Sequence, residues 1–277
     1  MELAPLLRKT TARHASEYEE YMTEMTKVNN PDATSLSEEE RSKQFVRVYG
    51  LLEKEPRLVS LIHSPRLAKA AQDLEGMADG VRMYQAQSFF KEPGDMGSSF
   101  HSDNYACPLD TNNQLTTAWL PLVDTDRDMG MLAFARGSHA DMNLNFWNNG
   151  KAMGGNHRTD AEAASGEYGV YHPEYIKSRF YTDTWPNLKP GDVTFHNGWT
   201  LHASYPNVKP EDSGAVREAT AISYVPDAVR TLPNNKFESQ YAVDDRLNGV
   251  NAKIRQMDIP PNSPIPDDIL HRVWPPL

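Results

Sequence analysis

One cysteine, Cys107, stands in 277 residues, so no internal disulfide can form and the chain reads as one made for a reducing compartment. Long apolar runs are missing as well. No stretch approaches the roughly 20 residues a membrane-spanning helix needs, and the opening MELAPLLRKTT has too short an apolar core for a secretion signal. A cytoplasmic protein without a membrane partner is the expectation. Positive charge is in deficit: 28 Lys and Arg against 38 Asp and Glu give a formal net charge of -10, which repels nucleic acid and anionic bilayers at long range. A small-molecule substrate is the partner this leaves; the oligomeric state is not legible. The GxSxG elbow of the α/β-hydrolases is absent, and so are repeats, heptads and low-complexity tracts. The remainder, 39% hydrophobic and 24% charged, is ordinary globular composition, long enough for one large domain spanning 1–277.

Residues 1–80 read as a helical layer. Good helix formers fill 14–28 and 38–54, with Ser37 and Glu40 spaced as a capping box before the second run. Ser64-Pro65 is an N-cap followed by a first-turn proline, opening a helix that stops near Gly76. From 81 the texture changes to short aromatic or β-branched runs: VRMYQAQSFF, TTAWLPLV, MLAFA, DVTFH and REATAISYV, separated by Gly, Pro, Asn and Asp. That pattern predicts an antiparallel sandwich or barrel over 81–230 with helices against one side. The long gap at 140–185, which carries Trp147, Tyr175 and Trp185, is expected to be a lid-like insertion contacting substrate. The tail at 231–277, rich in Pro and Asn, is expected to wrap the domain irregularly.

The stretch SSFHSDNYACPLD places His101 and Asp103 two apart, which on an extended segment aims an imidazole and a carboxylate at one point. Alone, such a pair is as consistent with a polar loop as with a metal site. A third donor comes from KPGDVTFHNGWTLHASYPN, where His202 follows a turn at Asn197-Gly198. Two histidines and one carboxylate form the facial set of non-haem Fe(II) sites, which leaves open positions for other ligands. His196, six residues earlier, is the competing histidine and reads instead as a pocket wall. In REATAISYV, Arg217 shares a strand face with Ala219, Ala221 and Ser223, so small side chains would leave volume below a cation that needs an anionic partner when buried. Asp124, Asp126 and Asp128 lack the rest of a calcium loop and read as a solvated turn. Cys107 reads as a small buried hydrophobe.

FFKEPGDMGSSFHSDNYACPLD, TTAWLPLVD, MGMLAFARGSH, PGDVTFHNGWTLHAS and the strand arginine together resemble the phytanoyl-CoA dioxygenase family of Fe(II)- and 2-oxoglutarate-dependent oxygenases, over about 80–230. The resemblance implies a double-stranded β-helix, a jelly-roll and cupin relative. It implies iron held by His101, Asp103 and His202, and 2-oxoglutarate paired with Arg217 beside Ser204, Trp119 and Gln87, with O2 as the second co-substrate. It also implies oxidation of an unactivated C–H bond, by hydroxylation in the first instance, with release of succinate and CO2. The presence of Asp103 argues against a halogenase. A cupin-like metalloenzyme without 2-oxoglutarate and a non-catalytic binding member of the family are the alternatives. A specialised small metabolite is the expected substrate.

Overall fold

The computed structural model describes residues 3–17, 19–20, 23, 45–142, 173–232, 250, 253–254 and 259–275. Its strands are β1 (Val46–Tyr49), β2 (Val81–Lys91), β3 (Ser98–His101), β4 (Leu109–Asp110), β5 (Thr116–Pro121), β6 (Thr125–Asp126), β7 (Leu132–Ala135), β8 (Thr182–Asp183), β9 (Asn187–Leu188), β10 (Thr194–Asn197), β11 (His202–Ser204), β12 (Arg217–Pro226), β13 (Arg230–Thr231) and β14 (Arg272–Trp274). The larger sheet runs β1-β2-β12-β5-β10, with β14 added alongside β2; the smaller runs β3-β11-β7-β8. Within both sheets every pairing is antiparallel. The two sheets face each other as an open double-stranded β-helix, the fold expected from the sequence.

Period-two alternation sorts each strand of the larger sheet between two environments. On the outer face Val48, Ala86, Ala118 and Ile222 pack with Leu7, Leu51, Leu58, Ile62, Ala68 and Ala71 from the helical layer. Leu7, Leu51 and Leu58 are wholly buried there, each contributing roughly 1.5–3 kcal/mol of transfer free energy. On the inner face the register lines up Gln85, Ser223, Thr117 and His196; then Gln87, Ala221, Trp119 and Thr194; then Phe89, Ala219 and Pro121; and last Lys91 with Arg217. These rows form a tapering interior between the sheets.

The helix Pro65–Glu75 has the ends its sequence predicts: Ser64 Oγ accepts from the Leu67 N–H, proline occupies the first turn, and Gly76 closes the helix at φ 67. The second expected helical run is corrected. Residues 46–49 form β1 on the edge of the larger sheet, and a helix covers only Leu51–Lys54. The alternation of Val46 and Val48 with Phe45, Arg47 and Tyr49 suits a strand with one apolar core face, and pairing with β2 overrides the local helix propensity. Positions 37–44, including Ser37 and Glu40 of the expected capping box, lie outside the described residues. The tail is also less irregular than expected. β14 joins β2, Val273 enters the outer core, and the Trp274 indole donates to Gln72 Oε1 at 2.9 Å.

Candidate active site

The smaller sheet brings two histidines side by side. His101 ends β3 and His202 opens β11, and they are register partners whose rings lie 4.3 Å apart, centroid to centroid. Close approach of the chains here depends on Gly97, where a Cβ would stand 2.2 Å from the Ser204 carbonyl oxygen. Asp103 does not continue the strand. Ser102 is extended, at φ -123 and ψ 133, and Asp103 starts a one-turn helix, Asp103–Ala106, anchored by the Asn104 N–H to the Gly198 carbonyl. Because the residue between them stays extended, His101 and Asp103 still face one point. One Asp103 oxygen, Oδ1, lies 3.6 Å from His202 Nε2 and 3.9 Å from His101 Nε2. The candidate ligand atoms of His101, Asp103 and His202 all fall within 4.8 Å of one another.

Hydrogen bonds fix which atoms meet there. His101 Nδ1 is 2.8 Å from the Ser99 carbonyl and His202 Nδ1 is 3.0 Å from the Thr200 carbonyl, the same i-2 arrangement on two strands. A carbonyl only accepts, so each Nδ1 carries the proton and each Nε2 turns a bare lone pair toward Asp103. Asp103 Oδ2 is occupied from behind: the Thr117 hydroxyl donates to it at 2.7 Å, and His196 Nε2 lies 3.2 Å away. With its hydrogen directed at Asp103, Thr117 must accept from the Ser223 hydroxyl at 2.9 Å. One carboxylate oxygen is therefore held and the other presented. Burial pushes His202 down to about 3, helped by the His101 and His196 rings, which keeps it in the neutral form a metal requires. Burial opposes ionisation of Asp103, yet the surrounding His202, His196 and His101 rings and the His196 hydrogen bond hold its carboxyl well below the usual range.

At the far end of the interior the chemistry changes sign. Arg217 is 1% exposed; its Nη1 donates to the Gly130 carbonyl at 2.9 Å, and its Nε has no partner. No carboxylate pairs with it among the described residues. Its guanidinium lies 5.8 Å from the Trp119 ring and 5.6 Å from the Phe45 ring. Burial, with Arg47 nearby, lowers Arg217 to about 9, still charged at neutral pH. Ala219 and Ala221, both buried, put the smallest side chains of β12 between this cation and the triad. A buried guanidinium with an unused donor, two lone pairs and a carboxylate suit a metal and an anionic chelator at opposite ends.

The structure brings His101, Asp103 and His202 together, and sets Arg217, Ser204, Trp119 and half-buried Gln87 on the interior. His196 also lies inside, buried against Asp103. Trp185 is 52% exposed on the surface. Trp147 and the Tyr175 side chain, with most of the expected lid, lie outside the described residues. Sequence reading missed Thr117, Lys91 and Arg47. The first two were reachable, since Thr117 shares a face with Trp119, and Lys91 ends the alternating run Gln85, Gln87, Phe89. Arg47 was hidden by the helical reading of its segment.

The family model for phytanoyl-CoA dioxygenase (PhyH) matches residues 11–212, and the chain belongs to that family of Fe(II)- and 2-oxoglutarate-dependent oxygenases. Its fold, enzyme class and cofactor class are those the sequence led us to expect. The chain is 28% identical over 140 residues to 1-deoxypentalenic acid 11-beta-hydroxylase of Streptomyces arenae, a match covering 48% of this chain and 43% of that protein. It thus spans less than half of that relative's length. Among solved structures, the non-heme alpha ketoglutarate dependent epimerase SnoN from nogalamycin biosynthesis superposes with a TM-score of 0.60 at 22% identity, covering 97% of this chain and 98% of SnoN. The carbocyclase SnoK from the same biosynthesis gives 0.58 at 22% identity, covering 95% and 86%. These two likenesses concern the fold. Among the described residues no helix is long and apolar enough to cross a membrane.

Proposed function

We propose that the chain hydroxylates an unactivated C–H bond of a small specialised metabolite, with His101, Asp103 and His202 as iron ligands and 2-oxoglutarate anchored at Arg217. The observation that carries this reading is the matched pair of histidines, each with Nδ1 on a backbone carbonyl and Nε2 directed at one Asp103 oxygen. When bound, Fe(II) with 2-oxoglutarate and O2 supplies an oxidant able to break such a bond, with release of succinate and CO2. The protein's own share is positional. Thr117 and His196 hold Asp103 Oδ2, so the carboxylate offers one oxygen and leaves room for a chelating co-substrate. Arg217, buried and lacking a carboxylate, takes the distal carboxylate through charge-assisted hydrogen bonds, with Trp119, Ser204 and Gln87 lining the space between.

A bound carboxylate also removes the cost of burying Arg217 unpaired, which a metalloenzyme working without 2-oxoglutarate would leave unmet. The metabolite class follows the relative named for hydroxylation of 1-deoxypentalenic acid. Release of succinate from 2-oxoglutarate by the Fe(II)-loaded protein, with and without 1-deoxypentalenic acid and panels of terpenoid, alkaloid and modified amino-acid metabolites, tests the reading. Stimulation by at least one class supports it. Absence of any 2-oxoglutarate turnover in protein that retains iron overturns it.

A further inference from the structure

The interior floor contains a second buried cation that the reading above leaves without a task. Lys91 ends β2 directly opposite Arg217 on β12, and the two are 0% and 1% exposed. Its Nζ donates to Ser204 Oγ at 2.8 Å and to the Tyr205 carbonyl at 2.7 Å, and stands 4.3 Å above the Phe45 ring. That same ring has Arg47 at 4.4 Å and Arg217 at 5.6 Å. No carboxylate forms an ion pair with Lys91 or Arg217 among the described residues. The nearest acid to influence them, Asp95, turns its Oδ2 to the Glu92 N–H instead, at 2.7 Å.

The backbone makes room for the lysine: Gly130 has φ +85, and a Cβ there would lie 2.7 Å from Lys91 Cδ. Two like charges buried on paired strands are costly unless an anion joins them or one gives up its proton. Ser204 follows His202 by two residues on β11, so the Lys91 ammonium is tied to a point roughly 7 Å along that strand from a proposed iron ligand.

We propose that Lys91 is a second binding residue for the distal carboxylate of 2-oxoglutarate, held by Ser204 and the Tyr205 carbonyl so that it shares that carboxylate with Arg217. This rests on the reading of the site given above. A proton movement accompanies it. Burial, together with Arg217 and Arg47, pushes Lys91 down to about 6, with Asp95 acting the other way. The charged groups facing it are therefore Arg47 from β1, Arg217 from β12 and Asp95 from the turn after β2; β11 contributes only the Ser204 hydroxyl, with the Tyr205 carbonyl beyond it. At about pH 8 the ligand-free lysine is mostly neutral, and an arriving carboxylate favours its charged form, so binding takes up to one proton from solvent.

Anaerobic calorimetric titration of the Fe(II)-loaded protein with 2-oxoglutarate, in two buffers of different ionisation enthalpy, reads both affinity and proton uptake. Pyruvate, a 2-oxo acid without a distal carboxylate, is the control ligand. We expect Lys91→Met to bind 2-oxoglutarate about ten- to a hundredfold more weakly and without proton uptake, while binding pyruvate like the wild type. Lys91→Gln supplies the same comparison should the Met variant fail to fold. Affinity for 2-oxoglutarate within twofold of wild type, or equal losses for both ligands, overturns the role of Lys91 and leaves the proposed function standing. Wild-type protein that holds iron but binds no 2-oxoglutarate overturns both.

Discussion

The two ends of the interior are built on opposite principles. At the triad neighbours fix the rear atoms of each ligand: carbonyls set both histidine tautomers, and Thr117 and His196 hold the rear oxygen of Asp103. At the floor Arg217 and Lys91 are buried side by side with no carboxylate, and an Arg217 donor is unused. The triad is preorganised and carries the single negative charge of Asp103; the floor holds the positive charge of Arg217 awaiting an anion. Both are delivered by the same alternation, since Ser223 and Arg217 lie on one face of β12 six residues apart. The difference shows where each partner's binding energy would arise: from geometry at the triad, from charge at the floor.

Removing a ligand should break the triad completely while sparing the floor. His202→Ala is expected to reduce bound iron from about one per chain to near zero, measured by metal analysis after anaerobic loading, whereas His196→Ala keeps substantial iron. The reverse pattern would exchange the roles of the two histidines. The next largest effect should fall on the floor alone. Arg217→Ala removes charge-assisted hydrogen bonds worth about 1.5–3 kcal/mol, so the apparent KM for 2-oxoglutarate should rise by roughly one to two decades with iron content unchanged.

Thr117→Val tests preorganisation more gently. It deletes the donor to Asp103 Oδ2 with little change of shape and should weaken iron binding about tenfold, at the lower end of what losing such an outer contact costs. A separate comparison concerns ligand-free stability. Lys91 titrates near 6 in the folded protein against an ordinary 10.5, so between those values the unfolded chain binds more protons and wild-type stability gains with rising pH. Lys91→Met removes that contribution: chemical denaturation should find the variant's relative advantage greatest below pH about 6, shrinking as pH rises toward the ordinary lysine value. A pH-independent difference would mean Lys91 is charged when no ligand is bound.

Much of this comparison was legible in the sequence wherever side-chain period alone decides placement. REATAISYV puts Arg217, Ala219, Ala221 and Ser223 on one face whatever the sheet around it. The His101 and Asp103 pairing was also legible, although the reason differed, because an extended Ser102 rather than an unbroken strand keeps them together. What escaped depended on register between distant segments. Lys91 matters because β2 pairs with β12, and Thr117 because β5 lies across from the turn after β3. Arg47 was lost when a segment rich in helix formers became an edge strand, since packing against β2 outweighs local preference.

The central claim is that one ligand bridges a metal at the triad and the cations at the floor. Equilibrium titration of 2-oxoglutarate into wild-type protein, with Fe(II) present and with Fe(II) removed, tests it most directly. The account predicts one 2-oxoglutarate per chain with Fe(II), and affinity that drops sharply when either Fe(II) or the Arg217 side chain is taken away. Saturable binding indifferent to both losses would contradict it.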